Sequence, residues 1–143
     1  MSTAEPFEHS SGLAELDEAA CWKLLEDDDV GRLAVTVGTH PEIFPVNYLV
    51  SGRQIVIRTE AGTMLAGAVG NHAVAFEIDS IDRQQRSGWS VVAFGWAREP
   101  QQVEELAKLD DMGLDLWVVT PKSRWLVIDV DRVTGRVLPP PAI

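Results

Sequence analysis

EIFPVNYLVSGRQIVIRTEAGT, residues 42–63, is the stretch whose reading decides the fold. Two apolar-rich runs, 42–50 and 54–59, flank Ser51-Gly52-Arg53, which has the composition of a hairpin tip. Pro45 inside the first run cannot donate to a strand ladder, so that strand must have a free edge or a bulge there. The second run closes on Arg58-Thr59, and Glu60-Ala61-Gly62 leads into Thr63, which reads as the first residue of a short helix. A strand that ends in a cation and a hydroxyl and passes through glycine into a helix N-terminus gathers donors at one point. That arrangement suits a phosphate or a carboxylate. Taken alone, the same pattern also describes an arginine solvated or ion-paired at a strand end.

Upstream, Leu33, Val35 and Val37 alternate with Arg32, Ala34 and Thr36, a half-buried strand turned back by Gly38-Thr39-His40-Pro41. Before it, Asp17 is placed to cap a helix on which Cys21, Leu24 and Leu25 recur at helical steps, and the acidic run 26–29 forms its solvated end. Residues 1–15 read as a loose arm and 16–143 as a single domain. Downstream, the pattern predicts two helical turns over 63–69, stopped by Gly70-Asn71. Residues 73–78 form a strand apolar enough to be buried on both faces, and 80–88 a polar loop. A long strand bent at Gly95 spans 89–98, Pro100 opens a short helix around 104–108, and 110–116 is irregular. A last clear strand covers 125–130, a further one 133–138, and Pro139-Pro140-Pro141 stops it. The sum is a mainly β chain whose long antiparallel strands curl into a β-barrel with short helices.

With 143 residues, 45% of them hydrophobic and 24% charged, the chain suits one domain with its own core. A net charge of −10 argues against nucleic acid or an anionic membrane as a partner. No apolar run approaches the about 20 residues a membrane span needs, and the N-terminus lacks the order of a signal peptide. A cytoplasmic location is the expectation. The single cysteine, Cys21, excludes an internal disulfide and any cysteine-based zinc site, and it reads as a buried structural thiol. Phosphate loops, nucleophile elbows and zinc-protease motifs are missing, and His9, His40 and His72 fall in the arm, a turn and a loop. Of five tryptophans, Trp89 and Trp96 flank one strand; most such residues fill a core or an interface, and Trp89, beside Ser90, could instead edge a flat ring system.

Gly31-Arg32-Leu33-Ala34, Pro41, Phe44-Pro45-Val46-Asn47-Tyr48, Arg58-Thr59, Gly62-Thr63, Gly88-Trp89-Ser90-Val91-Val92, Gly95 and Val133-Thr134-Gly135-Arg136 follow one another in this order. Together they resemble the pyridoxamine 5′-phosphate oxidase-like family of split-barrel flavin-binding proteins over residues 17–138. The resemblance implies a split β-barrel homodimer with flavin sites between the subunits. The flavin would be FMN, or alternatively the deazaflavin F420. Arg58, Thr59 and Thr63 would hold the phosphate, with the Gly62 backbone beside them. Pro45, Val46 and Asn47 would lie against the isoalloxazine, Trp89 and Ser90 would border the ring or ribityl chain, and Lys122 and Arg124 would reach across from the partner.

The same resemblance implies a flavin-dependent oxidoreductase that passes a hydride to a small acceptor, with no universal catalytic side chain and no metal. Met64 departs from it, because relatives commonly carry lysine after Gly-Thr. A cation missing from a phosphate site would cost about 1–3 kcal/mol. A non-enzymatic protein that carries or senses a flavin on the same barrel is the alternative.

Overall fold

The alternating pattern of residues 30–37 puts Gly31, Leu33 and Val35 on one buried face, and the barrel is built outward from it. The computed structural model describes residues 14–60, 62–71, 73–114 and 123–138. The chain runs β1 (Ala14–Leu16), α1 (Glu18–Glu26), β2 (Val30–Val37), β3 (His40–Ser51), β4 (Gln54–Glu60), α2 (Thr63–Asn71), β5 (Ala73–Asp82), β6 (Ser87–Arg98), α3 (Val103–Asp110) and β7 (Ser123–Leu138). All strands are antiparallel in the order β1-β7-β4-β3-β2-β5-β6, and β6 also pairs with β7, which closes the sheet. No helix among the described residues is long and apolar enough to cross a membrane.

The closure is incomplete at one place. β3 pairs with β2 from His40 to Asn47, but with β4 only from Tyr48 to Ser51. Beyond Ile57, β4 continues on β7 alone through Arg58, Thr59 and Glu60. Between those two segments the sheet is split, and Pro45 lies in the part of β3 that has no β4 partner, as its missing N–H requires.

Inside, Leu33, Tyr48, Phe76, Ile57 and Leu126 are fully buried, and Met64, Leu65 and Ala68 of α2 close over them. A smaller cluster lies on the outward side of β4 and β7, where Val56, Trp125 and Val127 are covered by Leu109 of α3. Asp17 caps α1 by accepting from the Ala20 N–H at 2.8 Å. At the other end of α1, the buried Tyr48 hydroxyl donates to the Leu25 carbonyl at 2.6 Å, one of the last-turn oxygens the helix cannot satisfy itself. Burial, with Asp28 and Asp29 nearby, pushes this phenol's pKa well above the usual tyrosine range. Tyr48→Phe is expected to cost about 1–3 kcal/mol, because it leaves that carbonyl without a donor in a dry site. A chemical-denaturation midpoint shift at unchanged slope is the readout, and an unshifted midpoint would contradict it.

Several expectations need correction. β5 is not buried on both faces: Val74, Phe76 and Ile78 point into the core while Ala73 is exposed and Glu77 half-buried, because no described element covers the outside of this strand. The polar loop expected over 80–88 shrinks to a turn at 83–86, with Ser80, Ile81 and Asp82 still in β5. The two terminal strands are one, β7, which is long enough to pair with β4 and then β6. The bend at Gly95 is a register shift between Phe94 and Gly95 against β7. Ala14 and Glu15, assigned to the arm, pair with Val137 and Arg136. Residues 1–13 with His9, Ala61, His72, the 115–122 segment with Lys122, and Pro139-Pro140-Pro141 lie outside the described residues.

Candidate functional site

The pleat sorts the candidate residues before any ligand is considered. Side chains alternate along a strand, so neighbours in sequence face opposite sides. Val46 and Trp89 pack against the barrel core. Pro45, Asn47 and Ser90 therefore face outward, and Arg58 stands on the outward side of β4 with Val56. Thr59 follows the inward set to the rim of the barrel, half-buried. Trp89 and Ser90, expected to act as neighbours along one ring, are thus on opposite faces of β6.

Arg58, Thr59, Gly62 and Thr63 follow one another at the end of β4 and the start of α2, Arg58 and Thr59 on opposite sides of the strand, with Pro45, Val46 and Asn47 across the split. Arg58 is one rung beyond the last β3–β4 pair, Tyr48 with Ile57, on the side where Asn47 stands. Its guanidinium carbon lies 4.7 Å from the centre of the Trp125 ring, its cross-strand neighbour. Its Nε is buried with no hydrogen-bond partner among the described residues. A buried donor left unpaired costs free energy, so this nitrogen calls for an acceptor that none of the described residues provides.

Close by, α2 starts at Thr63, and the Ala66 N–H bonds back to the Gly62 carbonyl at 2.9 Å. The first turn carries no acidic side chain, so its N–H groups and the positive end of the helix dipole are not offset locally. Gly62 and Thr63 are exposed. An anion with several oxygens fits this set: a stacked guanidinium, two hydroxyls and a helix N-terminus.

Ser90 is set apart from that group. It pairs with Asp79 of β5, and β5, β2 and β3 separate it from Arg58 within one copy of the chain. At about 4.8 Å per strand, that is roughly 19 Å around the sheet. Within one copy, Glu99 holds Arg124 through two nitrogens, and that pairing raises its pKa. His40 is exposed, and no cluster of metal-ligating side chains occurs among the described residues.

Met64 is 9% exposed and belongs to the core, so in this chain position 64 faces the barrel interior and not the anion site. Met64→Lys is expected to lower stability by about 2–3 kcal/mol, the scale of forcing an unpaired ammonium into apolar surroundings, without improving anion affinity. Thermal melts alongside ligand titrations check this. A tighter-binding variant of unchanged stability would place residue 64 at the site after all.

Two features escaped sequence reading. Trp125 could be seen only as the start of a strand; that it backs Arg58 depends on β4–β7 register. The second is a groove of about 260 Å³ on the outward face, lined by Arg32, Ala34, Ile43, Ala75, Glu77 and Asp79. There the Arg32 Nη1 lies 3.3 Å from Glu77 Oε1 and 3.2 Å from Asp79 Oδ2. Burial, then the neighbouring Asp79, raises the Glu77 pKa to about 7 despite the arginine.

Comparison with known proteins gives consistent matches. The family described as pyridoxamine 5′-phosphate oxidase matches residues 17–137. An uncharacterized protein of Mycobacterium tuberculosis is 34% identical over 128 residues, covering 86% of this chain and 84% of that protein. Among solved structures, the FAD binding protein from Mycobacterium smegmatis superposes with a TM-score of 0.77 at 34% identity, covering 88% of this chain and 98% of the other. A conserved protein from Corynebacterium diphtheriae gives 0.75 at 32% identity, with 89% and 98% covered.

Proposed function

Because the chain belongs to the pyridoxamine 5′-phosphate oxidase family, we propose that it binds a flavin nucleotide at the split between β3 and β4 and works as a flavin-dependent oxidoreductase on a small acceptor. The observation that carries this reading is the buried Nε of Arg58, without a hydrogen-bond partner among the described residues, above Trp125 at the mouth of the split. FMN, FAD and F420 all end their ribityl chain in a phosphate, so all three meet the same donors; FAD is what the M. smegmatis protein is named for.

Bound there, the flavin would supply hydride transfer at its ring. The chain's own residues do the rest. Arg58 donates to the phosphate from a face fixed by Trp125, Thr59 and Thr63 add hydroxyl donors, and the Gly62–Thr63 backbone adds N–H groups. The stretch of β3 at Pro45, Val46 and Asn47, which pairs with β2 and lies beyond the last β3–β4 pair, borders the polar rim of the ring. Val46 and Trp89 serve from beneath, as core side chains that hold β3 and β6 in place. The strands separating Ser90 from Arg58 favour a site completed by a second copy, so the working unit is a homodimer.

Purified protein titrated with FMN, FAD and F420, followed by its visible spectrum and by fluorescence, tests the proposal. Saturable binding of one of them supports it, and no binding of any removes it. Steady turnover with a reductant and small acceptors separates an oxidoreductase from a flavin carrier. The carrier reading is favoured by one observation: among the described candidate-site residues, no acid–base side chain accompanies Arg58.

A further inference from the structure

The patch of the barrel's outside that α3 covers lies directly behind the anion site. Leu109 of α3 packs in one cluster with Val56 of β4 and with Trp125 and Val127 of β7, and Leu106 lies against them. The helix is fastened to the sheet at both of its ends. Near its start, the two Nη atoms of Arg98, at the end of β6, donate to the two Glu105 oxygens at 2.8 and 2.9 Å. The Nε of the same arginine donates to Asp129 of β7 at 2.8 Å. One planar fork thus ties α3 to two strands.

At its far end, Asp110 Oδ1 accepts from the Trp125 Nε1–H at 3.1 Å. Asp110 is the last residue of α3, where a carboxylate meets the negative end of the helix dipole and works against the helix. Its partner among the described residues is the indole. Trp125 is 7% exposed, and a buried indole N–H needs an acceptor, so the place of Asp110 sets how the ring is turned. On that ring rests the guanidinium of Arg58. A carboxylate accepting from the N–H also polarises the indole toward a more negative face, which holds a cation more firmly.

We propose that Asp110 is a positioning residue for the flavin site: it locks the Trp125 indole and, through it, holds the Arg58 guanidinium in the pose that keeps its Nε for a phosphate. The inference rests on the reading of Arg58 as the phosphate's partner and adds the group that fixes it from the far side of β7. Contact runs from α3 through Asp110 and Trp125 to Arg58, and Asp110 itself touches no ligand. A role confined to satisfying the indole would change the melting temperature and leave affinity alone.

Fluorescence titration of the full chain with FMN tests this. Asp110→Ala, a change at an exposed residue, should weaken FMN binding about tenfold, while Asp110→Asn, whose amide oxygen still accepts, should recover most of the loss. With Arg58→Ala already in place, Asp110→Ala should change affinity by less than about twofold, because both substitutions act on one contact. Trp125→Phe keeps a ring and removes the N–H, so Asp110→Ala should be equally silent on top of it.

Nitrogen-15 relaxation of the arginine Nε–H groups reads the same lock without any ligand. Asp110→Ala should loosen Arg58 on the picosecond-to-nanosecond timescale and leave Arg53, which Glu18 holds, as it was. FMN affinity unchanged in Asp110→Ala, a loss undiminished in the Arg58→Ala background, or an asparagine no better than alanine overturns the inference and leaves the proposed function standing. If the parent chain binds no FMN, the proposed function falls and relaxation alone decides. Arg58 loosened by Asp110→Ala then supports the lock, and Arg58 equally ordered in both proteins overturns it.

Discussion

Arg58→Ala should weaken flavin binding by about a hundredfold, the loss expected when one or two charge-assisted hydrogen bonds to a phosphate go. The residue is well placed for so large an effect. Its guanidinium is stacked 4.7 Å from the Trp125 ring centre and its Nε is buried without a partner among the described residues, so little ordering remains to be done when the anion arrives. Arg58→Lys should recover only part of the loss, since an ammonium neither stacks flat on Trp125 nor bonds through a planar fork. Arg53→Ala is the control: that arginine pairs with Glu18 on the surface and should leave binding unchanged. Fluorescence titration of the three variants decides it. Equal affinities for Arg58→Ala and the parent would move the phosphate away from the end of β4.

Phe76→Ala should destabilise the fold by about 3–5 kcal/mol, close to the limit for a single aromatic deletion. Phe76 is fully buried, meets Tyr48 edge-on at 4.7 Å between ring centres, and lies over Gly31. A Cβ on Gly31 would come within 2.2 Å of the Phe76 Cζ, so the glycine is a space for that ring. Gly31→Ala alone should therefore also destabilise, by about 1–3 kcal/mol from overpacking. Combined with Phe76→Leu, it should cost less than the two single changes added together, because both act on the same space. Urea denaturation of the four proteins gives the cycle. Strict additivity would mean that Gly31 and Phe76 do not share that contact.

Much of the barrel was legible because strands announce themselves locally. The alternation of Leu33, Val35 and Val37, the Ser51-Gly52-Arg53 tip and the Asp17 cap each depend on a few neighbouring residues, and each is found where the sequence puts it. Errors came where a covering layer, and not the strand's own pattern, decides exposure. Residues 73–78 are apolar enough for burial on both faces, yet their outer side is open. Met64 was similar: its place after Gly62-Thr63 suggested the phosphate, but one residue of helical rotation turns it into the core.

By itself, then, the sequence determined the strand periodicity, the hairpin at residues 42–63 and the helix start beside Arg58, because hydrogen-bonding geometry and side-chain alternation are properties of short segments. Only the tertiary structure decided which side each candidate faces, that Trp125 backs Arg58, and that Arg32, Glu77 and Asp79 share one open face. Those relations join residues 45 to 67 positions apart, and strand register and the closing of the sheet alone set them.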